Sequence, residues 1–464
     1  MKRNAASGLF YEAVKERRPG MSHSNQLVSA LKGIIGETNV IQDQEQLKAY
    51  AVDGLAPKVV VNPGSVEEIS KLLTYAHSEK RTVVPRGNGT KMATGGVPEK
   101  IDVVLSMLRI HRITEHDIPN LSLSVEAGIT LADVQKKLAG TGKGSFLPLD
   151  PPYTDRATIG GIIAANSSGP RRYLYGAARD LLLGLKAVYP NGDIVAFGGK
   201  TVKNVSGYDM TKLMIGSWGS LGVITEITTK LLPLPEASAT LLASFEDLAK
   251  AGSMTRRILH SVLLPSAMEM MDGKAASQLG ERARYLVAFS LEGVREAVDR
   301  QAAEIGDIAK KEGAVDTKVL WGEEDRIFWR RVRDFALASA ASVILRSNFV
   351  ISKQAEILGN YEKMAQAAGV GCAWIGHAGN GILTSYILEN GAAKMGPVVD
   401  LIGKFTAEAA NHGGNLIVES CLRDLKEKVS VWGQPRSDDV VMRRLKERVD
   451  PAGVLNPGRF VGGI

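Results

Sequence analysis

Apolar positions recur at helical spacing between residues 26 and 50, become continuous in "KVVVNP", return to helical spacing in "SVEEISKLLTYAHSEK", and become β-branched again in "RTVVP". The pattern predicts two short amphipathic helices followed by strand, helix and strand. Ser65 and Glu68 form an S-x-x-E capping box at the start of the longer helix. The runs "DVVLSM" and "LSLSVEAG" read as further strands, and Thr130 to Leu138 as a helix. In "LLGLKAVYPNGDIVAFGG", Asn191-Gly192 between two β-rich runs predicts a hairpin. A glycine-rich turn and a strand follow in "IGSWGSLGVITEITTKLLPLPE", and Pro233 and Pro235 mark a boundary.

From residue 236 glycine thins out, and longer helical patterns alternate with strands such as "RYLVAFSLEG" and "SVILRSNFVI", which predicts a second domain. The tail helix "DDVVMRRLKERVD" carries an apolar stripe at Val440, Val441, Leu445 and Val449 and is ended by Pro451. No internal repeat or low-complexity tract interrupts the chain.

The 464 residues exceed one ordinary core, and 44% hydrophobic with 23% charged residues and 49 glycines indicates an α/β or α+β protein rich in tight turns. The net charge of +7 is dispersed among 50 acidic residues, which argues against nucleic acid and for local sites that bind small anions. Cys372 and Cys421, with no CxxC, can build neither a disulfide framework nor an iron–sulfur cluster, so any electrons must enter and leave by another carrier. The apolar stretch Phe335 to Leu345 is about half of the roughly 20 residues that span a bilayer. The N-terminus lacks the apolar region of a secretory signal, so a cytoplasmic location is expected. Met21 opens a more ordinary start, from which the first 20 residues are expected to be a flexible extension or a start-site artefact.

Chemistry concentrates in "VVPRGNGTKMATGG", residues 83 to 96. A dinucleotide fingerprint fails there because no helical pattern follows Gly87 and Gly89, and a Walker A loop fails at "GGKT" because Ile194 stands where its first glycine belongs. What remains is a nest of backbone N–H groups around an anion, with Thr90 adding a hydroxyl. The small residues Thr158 to Gly169 would let a flat ring and a pyrophosphate approach the backbone. One such loop alone reads as a tight turn; several in one α/β region read as a ligand cradle.

The segments "PRGNGTKMATGG", "EAGIT", "PLDPPYTDRATIGGIIAANSSGPRRYLYGAARD", "VKNVSGYDMTKLMIGSWGSLGVIT" and "DPAGVLNPGRF" resemble FAD-linked oxidases of the vanillyl-alcohol-oxidase/PCMH type, in the branch of glycolate oxidase and D-lactate dehydrogenase. "GHAGNG", "VWGQP" and the closing segment are most similar to the E-type FAD-binding subunit of glycolate oxidase. The resemblance implies an α+β, α/β-rich fold: N-terminal helices over 1–50 and a PCMH-type FAD-binding domain of two α/β subdomains over 51–235. A substrate or cap domain, its antiparallel sheet covered by helices, follows over 236–430, and a segment over 431–464 returns to the FAD.

By the same resemblance, Arg86, Gly87, Asn88, Gly89 and Thr90, with Pro85 before them, wrap the FAD pyrophosphate. Pro151, Thr158, Gly160, Gly161, Asn166, Ser168 and Tyr175 line the cofactor, Gly222, Val223, Ile224 and Thr225 approach its adenine, and Asn456 and Arg459 lie near the flavin, Arg459 by the ring. Thr90 stands where some relatives attach flavin through histidine, which implies non-covalent FAD.

Metal-using members of the family carry motifs like H-x-G-D-G-N-x-H and E-H-G, where this chain has "HAGNGILT" and "VESC". His377 and Glu419 match, but Asn380, Thr384 and Ser420 replace an aspartate and two histidines, and without His412 moving in two ligands are too few for a divalent ion. No metal is expected. Oxidising a 2-hydroxy acid needs a base for the hydroxyl proton; His377 is the first candidate, against a structural histidine, and Glu419 the reserve. Arg333 and Arg346 resemble the family's carboxylate-binding positions, where bidentate pairing favours arginine. The expected activity is oxidation of glycolate or D-lactate by hydride transfer to flavin. The partners implied are a second flavin subunit and an iron–sulfur subunit, through which any contact with the inner face of the membrane would be made. The alternative is a non-catalytic FAD-binding relay or assembly subunit.

Overall fold

The run Val59–Val61 is buried on both faces, with Val59 and Val61 in one core and Val60 in another, and it pairs in parallel with Val103–Ser106, which in turn pairs in parallel with Val83–Arg86. This computed structural model describes residues 23–142, 144–199, 208–388 and 395–464; the first 20 residues, "VKNVSG" and the end of "GGKT" fall outside them. The short strand Val40–Ile41 completes the sheet antiparallel to Val59–Val61. Helices His23–Ile35 and Val66–Ser78 supply Leu27, Leu31, Ile69, Leu72 and Leu73 to the core beneath it. The capping box forms one residue displaced: Ser65 Oγ accepts from Glu68 N at 3.2 Å, and Glu68 Oε2 takes Gly64 N at 2.6 Å rather than the cap's own amide.

Among the described residues a second sheet runs in the order Ile113–Asp117, Ser122–Glu126, Val223–Lys230, Leu182–Val188, Ile194–Gly198, antiparallel throughout. The hairpin appears where Asn191-Gly192 places it, with Gly192 at φ 92 and Tyr189 N donating to Asp193 O at 2.9 Å. Ile113–Asp117 has no counterpart among the expected strands.

The later half forms, among the described residues, one antiparallel sheet ordered Asp316–Trp321, Ala237–Phe245, Tyr285–Gly293, Ala267–Asp272, Cys372–His377, Ile382–Ile387, Val343–Asn348, Asn415–Ser420. Its central strands are covered on both faces, so Ala267–Asp272 and most of Tyr285–Gly293 are buried, whereas the edge strand Asp316–Trp321 is largely exposed. Leu241, Ala243 and Phe245 join the larger core, which Leu248–Leu259, Arg295–Lys311, Gln354–Ala367 and Met395–Asn411 close, whereas Leu242 joins a smaller core under Gly273–Leu279 and Gly322–Arg333.

The tail returns to the first sheet: Val83 N donates to Val454 O at 2.7 Å and Asn456 N to Val83 O at 3.0 Å. Its helix spans Asp439–Val449, but the expected stripe fails at Val440 and Val441, which are 54% and 65% exposed. Leu445 and Val449 do pack on the core. The inward position between them is Lys446, whose buried ammonium donates to Ser220 O, Asp450 Oδ2 and Leu455 O at 2.8, 2.6 and 2.7 Å. The stretch Phe335 to Leu345 is divided between a helical turn, Phe335–Ala338, and the start of strand Val343–Asn348. Among the described residues no helix is long and apolar enough to cross a membrane.

Candidate active site

The glycine loop leaves the carboxyl end of Val83–Arg86 and forms one wall of a groove of about 800 Å³. Gly89 sits at φ +76, and a Cβ there would lie 2.6 Å from Arg86 Nε. The opposite wall is helix Ile159–Ala165, whose cap Thr158 accepts from Gly161 N at 3.3 Å. That helix lies so close to the sheet that a Cβ on Gly160 would come within 2.6 Å of Ala127 Cβ.

The structure brings Pro85 to Thr90, Thr158, Gly160, Gly161, Gly222, Val223, Ile224, Asn456 and Arg459 together around this groove. Trp218, which no sequence signal singled out, also lines it. Pro151, Asn166, Ser168, Tyr175 and Thr225 are not among its lining residues. Asn166 ends the helix in the left-handed region at φ 47, and Thr225 is fully buried with its hydroxyl on Lys186 O. Pro151 O accepts from Thr154 Oγ1, and Tyr175 OH donates to Glu292 Oε2 at 2.8 Å. Ser168 lines the neighbouring pocket instead. Arg459 is buried, and its Nη2 donates to Met92 O at 2.8 Å and Thr94 O at 2.7 Å, so it braces the glycine loop from behind. Burial, opposed by the charge of Asp53, lowers its pKa to about 10.

A second pocket opens beyond the loop, and Lys91 lines both. It gathers Arg333, Arg346, His377 and Glu419, all four of the expected catalytic positions, together with Lys91, Tyr153 and Tyr386. Glu419 Oε2 accepts from Lys91 Nζ at 2.9 Å and its Oε1 from Arg346 Nη1 at 3.4 Å. Burial alone would raise this carboxyl, but the two cations outweigh it and hold the pKa at about 2. A carboxylate held so low is a poor proton acceptor, which weakens the reserve role given to Glu419. Arg333 ends helix Gly322–Arg333 with a buried Nε that has no hydrogen-bond partner. Burial lowers its pKa, and the facing Asp150 opposes that shift. Asp150 is itself raised to about 6 by burial, against Arg171 and Arg333.

His377 closes strand Cys372–His377, with Nδ1 2.5 Å from Glu269 Oε1. Thr384 lines the pocket; Asn380 and Ser420 do not. His412 lies at the end of helix Met395–Asn411 against Glu408, 3.3 Å away, and Glu356, 3.9 Å away. Sequence reasoning missed Lys91, Tyr153, Tyr386 and Glu269. Lys91 directly follows the glycine loop and was open to notice; the other three depend on chain crossings no local pattern encodes.

A glycine-walled groove meeting a cationic pocket across one shared loop fits a cofactor-dependent oxidoreductase. The chain belongs to the FAD-linked oxidases: residues 57–198 match the family described as "FAD binding domain" and residues 234–460 that described as "FAD linked oxidases, C-terminal domain". It is 31% identical over 419 residues to "Glycolate oxidase subunit GlcD" of Bacillus subtilis (strain 168), covering 87% of this chain and 89% of the relative. It is likewise 31% identical over 422 residues to the D-lactate dehydrogenase of Archaeoglobus fulgidus, covering 87% and 91%. The fold matches that of p-cresol methylhydroxylase with a TM-score of 0.75 at 16% identity, over 95% of this chain and 97% of that one. The glycolate oxidase relative is thus named GlcD, where the closing segments of the sequence resembled the E-type subunit.

FAD is the cofactor of this family, and the groove fits it. Its walls approach at positions a Cβ would fill, and the buried Arg86 Nε, Asn456 Oδ1 and Arg459 Nε have no hydrogen-bond partner among the described residues.

Proposed function

We propose that this chain oxidises a small 2-hydroxy acid, with His377 accepting the hydroxyl proton and Arg333 and Arg346 holding the carboxylate. The observation that carries the reading is the convergence of three cations, one histidine and a single lining carboxylate in the pocket that shares Lys91 with the FAD groove. FAD, when bound, supplies the acceptor for the hydride. Arg333 is the cation least committed within the protein, so it offers the first site for the acid's carboxylate. Lys91 and Arg346, already shared with Glu419, add a positive field at lower cost in desolvation.

Val332, Ile344 and Ile375 form an apolar wall on the same pocket. Such a wall rewards a carbon side chain, which favours lactate over glycolate. The donor set does not supply a divalent centre, since Glu419 is engaged by two cations and Thr384 faces the pocket as a hydroxyl. Thr90, which has no imidazole, supports FAD held without a covalent bond.

Electrons would leave to an iron–sulfur partner alongside a second flavin subunit, in the cytoplasm or at a membrane reached through those partners. This assembly is supported by the name of the GlcD relative and by the absence of CxxC. A relay or assembly subunit without substrate chemistry is the second reading, favoured by Thr384 and Ser420 at the altered motif positions. Anaerobic addition of D-lactate, then glycolate, to the purified FAD-loaded chain decides between them. Bleaching of the flavin band by D-lactate supports the dehydrogenase; bleaching by dithionite alone supports the relay. Acid precipitation that leaves flavin in the pellet would overturn non-covalent binding.

A further inference from the structure

Glu269 is a carboxylate in a strand where nothing else is charged until Asp272: Ala267–Asp272 reads "AMEMMD", and Met268, Met270 and Met271 are buried around it. Its side chain is fully buried. One oxygen, Oε1, lies 2.5 Å from His377 Nδ1, and the other, Oε2, has no hydrogen-bond partner. The contact is set by register, because Glu269 and His377 are directly paired residues of adjacent antiparallel strands and so project from the same face of the sheet. A lone buried carboxylate is costly, and among the described residues His377 is the hydrogen-bond partner of this one.

We infer that Glu269 is a positioning residue that holds His377 as the Nδ1–H tautomer, with Nε2 left as the acceptor. The inference rests on the reading of His377 as the base. In neutral imidazole one nitrogen donates and the other accepts, so a carboxylate at Nδ1 assigns the proton there and leaves the Nε2 lone pair for the pocket. The carboxylate also fixes the plane of the ring and stabilises the imidazolium that forms when the substrate's O–H proton passes to Nε2. Asp150, from the loop before helix Ile159–Ala165, Tyr386 from the strand next to that of His377, and Glu419 with its two cations lie around the pair, and none is hydrogen-bonded to the imidazole.

The test is a long-range proton–nitrogen spectrum of the FAD-loaded chain labelled with ¹⁵N-histidine, recorded beside turnover of D-lactate with a dye acceptor. The resonance lost in His377→Gln is that of His377. In the wild type it shows a protonated Nδ1 and an unprotonated Nε2. Glu269→Gln moves the proton to Nε2 or mixes the tautomers and lowers kcat about 100-fold while KM and flavin content stay near wild type; Glu269→Asp recovers part of the loss. An unchanged tautomer in Glu269→Gln, or unchanged kcat while His377→Gln is inactive, overturns the inference and leaves the base intact. Full turnover in His377→Gln overturns both. Flavin content and the melting profile of each variant separate these results from misfolding.

Discussion

Replacing Glu419 by glutamine removes a charge but little volume from the junction of the two sites. The carboxylate is 16% exposed and is shared between Lys91 at 2.9 Å and Arg346 at 3.4 Å. Its pKa is held at about 2 against an ordinary 4.5. That difference corresponds to about 3 kcal/mol of native-state stabilisation at neutral pH. It agrees with the cost of about 3–5 kcal/mol for removing one partner of a buried ion pair. At about 2–4 °C per kcal/mol for a domain of this size, Glu419→Gln is expected to melt about 10 °C below the wild type at pH 7. The folded pKa is depressed, so the stabilisation is complete above pH 4.5 and drains away as pH falls toward 2. The gap between wild type and variant must therefore narrow on acidification below about pH 4.5. Differential scanning calorimetry of the FAD-loaded protein at pH 7 and pH 4 checks both parts. A variant as stable as the wild type at pH 7, or a gap that widens at pH 4, would refute the account of the clamp.

Lys446→Met leaves Asp450 with its two backbone donors, Val454 N and Leu455 N, but without a counter-charge, and frees two carbonyls that the ammonium now joins, Ser220 O and Leu455 O, at an expected cost of about 3–5 kcal/mol; because Asn456 and Arg459 follow in the same segment, retained flavin absorbance after gel filtration should fall as well. Gly160→Ala brings a methyl group to 2.6 Å from Ala127 Cβ, so the helix must shift into the groove and the variant should purify with little flavin; full FAD content would contradict the close approach. Asp150 titrates in the opposite sense to Glu419: its folded pKa is raised to about 6, so its penalty is present above pH 6 and relieved as pH falls toward 3.8. Relative to Asp150→Asn, the wild type should gain about 2 kcal/mol between pH 7 and pH 4, and parallel denaturation curves at the two pH values would exclude this.

What could be read in the sequence was local. Ser65 with Glu68, Asn191 with Gly192, and the glycines behind Val83 and Val84 each carry their instruction within a few residues, and the corresponding cap, hairpin and loop are present. Ile113–Asp117 was missed because "ITEHD" offers no apolar alternation; it is an edge strand with no fully buried residue. The tail stripe was misread because a lysine takes the inward position, and periodicity scores lysine as solvent-facing although three oxygen acceptors make the interior tolerable. The site itself depends on distant pairings. Lys91 meets Glu419 across 328 residues, where a loop of the first half touches a strand of the second, and Glu269 meets His377 across 108 through strand order; no local motif specifies either.

The loop of residues 86–96 is therefore more than an anion cradle. Its first half lines the FAD groove, Lys91 reaches Glu419 in the second pocket, Thr94 Oγ1 donates to Glu419 O at 2.7 Å, and Arg459 ties Met92 O and Thr94 O to the C-terminal segment. A loop bonded at once to both halves of the chain and to its tail cannot shift at one site without altering the other. An anion that draws Lys91 or Arg346 from Glu419 must also loosen the contact between the loop and Glu419. Such coupling is reciprocal, so whatever orders the loop in the groove acts equally on the ion pairs of Glu419. The physical basis is a single ion-paired carboxylate placed where three separate stretches of chain meet.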